Sequence, residues 1–331
     1  MILERKVIEK IIHNVLSYNF DDRGRLHFSR FSESQQKTYE AESRDWLVRA
    51  NASASVTFDF ISNSDYIALK VDLYPGSSHS WAGFDLYVDG VFCEHKRVEG
   101  LGANVISFDL PNGVHRVTLY FPWTTETVVE AVYLSDEASV EPISKRKTVL
   151  AFGDSITQGY VAELSSLTYV NQLSRDLDLE IVNQGIGGYY FNEATIDKSI
   201  VALKPDLITV AYGTNDYSRY DLREDFLKNT SKYIEKLVEL FPDTQILGVL
   251  PFYRNDYKNQ ARQRYRTYSL DEGREILTAI YGRYQNIQVL KETGIPRIPE
   301  TYISDYLHPN ELGFTFIAKA IEKKVEQMFN L

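Results

Sequence analysis

Four short clusters carry the groups that acyl chemistry needs, and all lie after residue 145 of the 331-residue chain. The first reads Phe152-Gly153-Asp154-Ser155-Ile156-Thr157-Gln158-Gly159. A serine that leaves an apolar strand and enters a helix is exposed at the sheet's edge, in the positive field of a helix N-terminus. It can act as a nucleophile, or it can cap the helix as Asp154 also can; this fragment alone leaves the two readings level. It is neither a G-x-S-x-G elbow nor a P-loop, which needs a Gly-Lys pair. A serine nucleophile requires a base, and of the six histidines only His308 lies after residue 145. Its context is Ser304-Asp305-Tyr306-Leu307-His308-Pro309-Asn310. Pro309 disfavours the α region at His308, so the imidazole is presented from an extended or turn backbone, and Asn310 can cap the helix that follows. Asp305 could hold the imidazole tautomer, although D-x-x-H is also compatible with a structural histidine. The remaining two clusters, Gly185-Ile186-Gly187-Gly188 and Gly213-Thr214-Asn215-Asp216, offer donors for an oxyanion: a Gly188 N–H and the Asn215 amide. Each also suits an ordinary turn. Asp154 and Asp216 read as loop-stabilising.

The elements that must position these groups follow from hydrophobic period. Apolar strands at 148–152, 180–183, 207–211, 245–250 and 287–290 alternate with helical segments near 166–178, 192–203, 221–240, 268–284 and 310–328. Such alternation predicts an α/β domain with a parallel sheet covered on both faces, whose active residues collect at the carboxyl ends of strands. Residues 20–145 have a different texture. Strand-period runs at 56–60, 66–73, 84–88, 105–110, 114–121 and 128–134 carry hairpin signals at Asp89-Gly90 and Asn112-Gly113. They predict an all-β sandwich or jelly roll, with the acidic stretch 135–142 as a connector to a catalytic domain at 146–331. Residues 1–19 have the apolar spacing of an amphipathic helix, interrupted by Glu4, Arg5, Lys6, Glu9 and Lys10, and do not read as an export signal.

In combination and order, the four clusters resemble the SGNH (GDSL-type) hydrolase family. Gly153-Asp154-Ser155, the Gly188 region, Gly213-Thr214-Asn215-Asp216 and Asp305 to His308 match its blocks over residues 147–331. The resemblance implies a flavodoxin-like three-layer α/β/α fold and ester hydrolysis through an acyl-enzyme, with no metal or other cofactor. It implies Ser155 as nucleophile, His308 as general base and Asp305 as its orienter. The oxyanion hole would be the N–H groups of Ser155 and Gly188 with the Asn215 side chain. Ahead of it, Gly83-Phe84-Asp85-Leu86-Tyr87 resembles the G-x-D-L-Y signature of β-sandwich domains fused to some SGNH esterases, which implies carbohydrate deacetylation. The rival expectations are a lipase- or thioesterase-type hydrolase of the same family, a catalytically silent sugar-binding protein, and acyl transfer to an alcohol other than water.

Composition narrows the partners. The net charge of −10 argues against a nucleic-acid binder and against an anionic membrane surface. No stretch reaches the ~18 apolar residues of a membrane span, and the single cysteine, Cys93, excludes a disulfide scaffold. The expected setting is the cytoplasm, and the expected partner a small-molecule or oligosaccharide ester, with a homo-oligomer left open. There are 23 tyrosines and only 3 tryptophans. Tyr189, Tyr190, Tyr212, Tyr217, Tyr302 and Tyr306 adjoin the catalytic blocks, which predicts a tyrosine-lined cleft suited to a flat-faced polar ligand. Trp81, in a serine-rich context that reads as a loop, joins Tyr189, Tyr217 and Tyr306 as candidate substrate contacts. The segment Tyr253–Tyr268, with Arg254, Lys258, Arg262, Arg264 and Arg266, reads as a solvated basic loop, with a substrate-facing insertion for an acidic sugar as the alternative.

Overall fold

The computed structural model describes residues 1–254, 267–292, 299–303, 305 and 307–330. The front domain is a sandwich of two antiparallel sheets. One contains β1 (Ile12–His13), β4 (Thr57–Ser62), β6 (Trp81–Val88), β7 (Val91–Glu99) and β9 (His115–Tyr120), in the order β1-β4-β9-β6-β7, with β11 (Val140–Pro142) also paired to β4. The other contains β2 (Ser17–Phe20), β3 (Leu26–Ser29), β5 (Tyr66–Pro75), β8 (Gly102–Asp109) and β10 (Thr125–Leu134), in the order β2-β3-β10-β5-β8. Alternation sends Ile67, Leu69, Val71 and Leu73 of β5 inward against Phe58, Phe60, Phe84 and Leu86 of the facing sheet. All of β6 is buried, because its outward residues meet the second domain: Asp85 accepts from Ser166 N (2.7 Å) and Arg175 stacks over Tyr87.

Of three local expectations, one holds and two change. Asp89 and Gly90 both have positive φ (51° and 78°) and close the β6–β7 hairpin. Asn112-Gly113 does not close a hairpin. It carries the chain from β8 in one sheet to β9 in the other, and of the two residues only Gly113 has positive φ (116°). The N-terminal helix shrinks to a single turn, α1 (Arg5–Ile8). The apolar residues that suggested its period, among them Leu3, Ile8, Ile11 and Ile12, enter the sandwich core through that turn and β1. Two helices that no period announced, α2 (Glu33–Glu42) and α3 (Arg44–Ala50), follow β3. Ser32 and Gln35 form a capping box on α2.

The second domain is built on β12 (Thr148–Gly153), β13 (Glu180–Gly185), β14 (Leu207–Ala211), β15 (Gln245–Val249) and β16 (Ile287–Leu290). All pairings are parallel and the order is β13-β12-β14-β15-β16, the flavodoxin-like 2-1-3-4-5 arrangement. Along β12, Leu150 and Phe152 face one core with α7 (Arg223–Leu240) and the helix Leu270–Tyr281. Val149 and Ala151 face the other, with α5 (Tyr169–Asp176) and the final helix Glu311–Phe329. These are the three layers of an α/β/α domain. The stretch 192–203 forms 3-10 turns instead of an α-helix. Among the described residues no helix is long and apolar enough to cross a membrane.

The domains meet through buried polar contacts. Asn14 accepts from Ile181 N (2.7 Å), Asn183 donates to Ser55 Oγ (2.9 Å), and Gln35 donates to Gln184 Oε1 (2.8 Å). Arg30 is buried from water and donates to carbonyls on both sides of the junction: Ala52, Arg49 and Ala50 in front, Asn183 and Gly185 at the end of β13. Burial lowers its pKa to about 9, which leaves it charged at neutral pH.

Candidate active site

The carboxyl ends of β12 and β14 flank the point where the strand order reverses, the usual ligand crevice of such sheets. Ser155 opens the short helix α4 (Ser155–Gln158) directly after β12. The cap is Asp154, whose carboxylate accepts from Ile156 N at 3.0 Å. That frees the Ser155 hydroxyl, which lies 2.8 Å from His308 Nε2. On the other side of the ring, His308 Nδ1 is 2.6 Å from Asp305 Oδ2, and Asp305 Oδ1 accepts from the backbone N–H groups of Leu307 (2.8 Å) and His308 (2.9 Å). Burial raises the Asp305 pKa, but the hydrogen bonds from His308 and these backbone groups outweigh it, so the carboxyl sits below its ordinary range. Two backbone bonds, Ile303 N to His308 O (3.0 Å) and Asn310 N to Thr301 O (3.1 Å), hold the histidine in a bend beside the isolated Tyr302–Pro309 bridge, and Asn310 caps the final helix. Hydroxyl, imidazole and carboxylate are thus in line for proton transfer from serine to histidine, with Asp305 fixing the tautomer.

The donors converge on the same crevice. Gly188 has φ +82°, and a Cβ there would lie 3.2 Å from the Trp46 ring, so both backbone shape and space favour glycine. Gly153 is tight for another reason: a Cβ would collide with the Thr157 side chain in the turn beneath Ser155. Asn215, in α6 (Thr214–Arg219), donates one amide hydrogen to Tyr189 O (2.9 Å). That bond sets which end of the amide is nitrogen and leaves a second hydrogen for the cavity that Asn215 lines. Gly187 N donates to Gln158 Oε1 (2.7 Å), and Gln158 in turn donates to Gly76 O and Trp123 O of the front domain.

The cavity, about 180 Å³, is lined by Arg49, Ser77, Ser78, Ser155, Gln158, Tyr160, Gly187, Gly188, Asn215 and His308. Arg49, Ser77 and Ser78 belong to the sandwich domain, so both domains build the site. None of these three stood out in the sequence, and neither did Tyr160, whose ring packs on the His308 imidazole (centroids 4.7 Å apart). A usable signal was adjacency: Tyr160 follows Gly159, which ends α4 in the left-handed conformation.

The expected tyrosine-lined cleft is not what the fold makes. Tyr189 is buried against Tyr39 and Trp46, and Tyr217 is buried against Tyr268. Tyr212, just past the end of β14, and Tyr302, in the isolated bridge with Pro309, are also in the cores, where large rings gain most from burial. Trp81 is the first residue of β6 and not loop-borne; it packs on Trp123 and carries Arg97 on its ring. None of Trp81, Tyr189 and Tyr217 lines the cavity. Tyr306 lies outside the described residues, as do Lys258, Arg262, Arg264 and Arg266. Burial raises Asp154 to about 6 and Asp216 to about 7. Asp216 accepts from Phe191 N (3.0 Å) and, like Asp154, ties a loop.

Residues 151–315 match the model of the GDSL-like lipase/acylhydrolase family. No curated protein matches the chain. The fold as a whole is similar to a salicylyl-acyltransferase, SsfX3, from a tetracycline biosynthetic pathway (20% identity, TM-score 0.78, 97% of this chain and 95% of that one). It is also similar to a putative GDSL-like lipase from Bacteroides ovatus (16%, TM-score 0.77, 98% and 97%). A third similar structure is an acetyl xylan esterase from Butyrivibrio proteoclasticus (13%, TM-score 0.64, 97% and 96%).

Proposed function

We propose, on the premise that the chain belongs through its α/β domain to the GDSL-like lipase/acylhydrolase family, that it is a serine esterase removing small acyl groups, acetyl above all, from a carbohydrate. The observation that carries the reading is the unbroken line Ser155 Oγ, His308 Nε2, His308 Nδ1, Asp305 Oδ2, with steps of 2.8 Å and 2.6 Å across hydrogen bonds. His308 Nε2 takes the Ser155 proton as Oγ attacks the ester carbonyl. The tetrahedral oxyanion is held by the N–H groups of Ser155 and Gly188 and by the Asn215 amide. His308 returns the proton to the leaving sugar hydroxyl, and the acyl-serine is released by water along the same route.

A small cavity with no aliphatic side chain among its lining residues favours acetyl over a long acyl chain. The likeness in fold to an acetyl xylan esterase, over 96% of that chain, supports a carbohydrate ester as substrate. Hydrolysis of 4-nitrophenyl acetate and of acetylated oligosaccharides by wild type and Ser155→Ala tests the reading. Turnover should vanish in the variant; undiminished activity there would sink the assignment, and a steady preference for long chains would replace acetyl ester by lipid ester. Asn215→Ala should lower kcat by ~10²–10³.

The likeness to an acyltransferase supports a second reading, in which another alcohol intercepts the acyl-serine. Both readings share the first half-reaction. Product partitioning in the presence of added sugar alcohols separates them.

A further inference from the structure

Arg49 is the one permanently charged side chain among the lining residues, and it enters from the last turn of α3, in the front domain. Its Nη1 donates to Gly187 O at 2.7 Å, and its guanidinium stacks over Trp46. The carbonyl it grips belongs to the same peptide unit as the Gly188 N–H. On the proposed mechanism, that N–H is an oxyanion donor. A cationic donor on the carbonyl of a peptide fixes the plane of the unit and draws electron density toward the oxygen, which makes the N–H at its other end a stronger donor.

The neighbouring contacts keep this geometry from drifting. Gln158 Oε1 accepts from Gly187 N (2.7 Å), so the peptide units on either side of Gly187 are both tethered. Arg30 accounts for the other end of the lever. It donates to the carbonyl of Arg49 itself (2.9 Å) and to Gly185 O (3.1 Å), tying the base of the Arg49 side chain to the strand from which the Gly187–Gly188 turn emerges. We infer that Arg49 is a positioning residue for the oxyanion hole: the front domain supplies, through one charged hydrogen bond, the orientation and donor strength of the Gly188 N–H. The inference rests on the reading of Ser155 and Gly188 given above. Arg49 itself touches no reacting atom in this scheme.

The test is steady-state hydrolysis of the neutral ester 4-nitrophenyl acetate by full-length wild type, Ser155→Ala, Arg49→Lys, Arg49→Met and Arg49→Ala, with thermal unfolding of each. Arg49→Met should lower kcat about ten-fold, less than the ~10²–10³ of a lost donor, with KM within about two-fold of wild type. Arg49→Lys should fall between the two, and guanidinium ion at millimolar concentration should restore part of the activity of Arg49→Ala. The rate of Ser155 phosphonylation by a neutral fluorophosphonate should fall in step with kcat. Wild-type kcat in Arg49→Met overturns the inference. So does a defect found only in KM for an anionic ester such as 4-nitrophenyl hemisuccinate, because Arg49 would then be binding substrate charge. Should Arg49→Met unfold, Arg49→Lys and the guanidinium rescue decide the matter, and failure of both to show a graded kcat overturns it. Activity surviving in Ser155→Ala defeats the underlying reading instead, so the two failures are distinguishable.

Discussion

Two histidine–aspartate pairs in this molecule have the same local geometry and opposite surroundings. In the α/β domain, His308 Nδ1 meets Asp305 Oδ2 at 2.6 Å; in the sandwich, His95 Nδ1 meets Asp85 Oδ1 at 2.6 Å. Beyond the first pair, Nε2 reaches the Ser155 hydroxyl on the wall of a cavity. Beyond the second, Nε2 is buried and forms no hydrogen bond among the described residues, with Glu163 3.9 Å away. Asp85 is fully buried and spends its other oxygen on Ser166 N (2.7 Å), across the domain junction. The dyad geometry is therefore shared between a mechanical joint and the proposed acyl-transfer site. What separates them is what stands at the far nitrogen and whether a substrate can reach it.

Substituting the two aspartates alike breaks or sharpens this contrast. Asp305→Asn should cost the largest effect, about 10⁴-fold in kcat, with little change in thermal midpoint because Asp305 is substantially exposed. Asp85→Asn should do the reverse. It sets an amide against a site that uses both carboxylate oxygens as acceptors, at about 2 kcal/mol of stability, while kcat of the folded enzyme stays at its wild-type level. A large kcat loss in Asp85→Asn, measured below its unfolding transition, would show that the joint communicates with the site.

The smallest effect is in pH dependence. The hydrogen bond to Asp85 raises the His95 pKa above its ordinary 6.5, against the opposing pull of burial. Protonated His95 thus favours the folded state. Its contribution is full below about pH 6.5 and fades as pH rises through the elevated folded-state value. Thermal midpoints of wild type and His95→Gln should accordingly converge as pH is raised from 6 toward 9; a gap that widens would refute the sign.

The contrast also explains what could be read from the chain. Ser155, Asp305, His308, Gly188 and Asn215 sit at strand ends or within three residues of one another, where period and turn chemistry speak directly. The parallel sheet was legible for the same reason, since each strand is short and centred on apolar residues and helical segments separate the strands. Arg49 was not, because its partner carbonyl is 138 residues away and a charged residue in a short helix looks like any solvated face. The tyrosines misled because their proximity to the catalytic blocks in sequence says nothing about which side of the sheet they face. Asn112-Gly113 misled because a two-residue hairpin needs positive φ at both positions, and only the glycine supplies it.

Arg30 has a consequence for how such a protein can be taken apart. Its charge is stabilised without a carboxylate among the described residues, by carbonyls that belong jointly to the two domains. Neither domain alone offers the full set. The boundary near residue 146 is visible as a change of texture along the chain, yet it is no seam for cutting. A chimera that kept residues 146–331 and received a foreign sandwich would inherit the serine, the histidine and the aspartate. It would lose the guanidinium and the carbonyls that register α3 against the end of β13, and with them the alignment of the turn that follows. For protein engineering the unit of exchange is the pair of domains together.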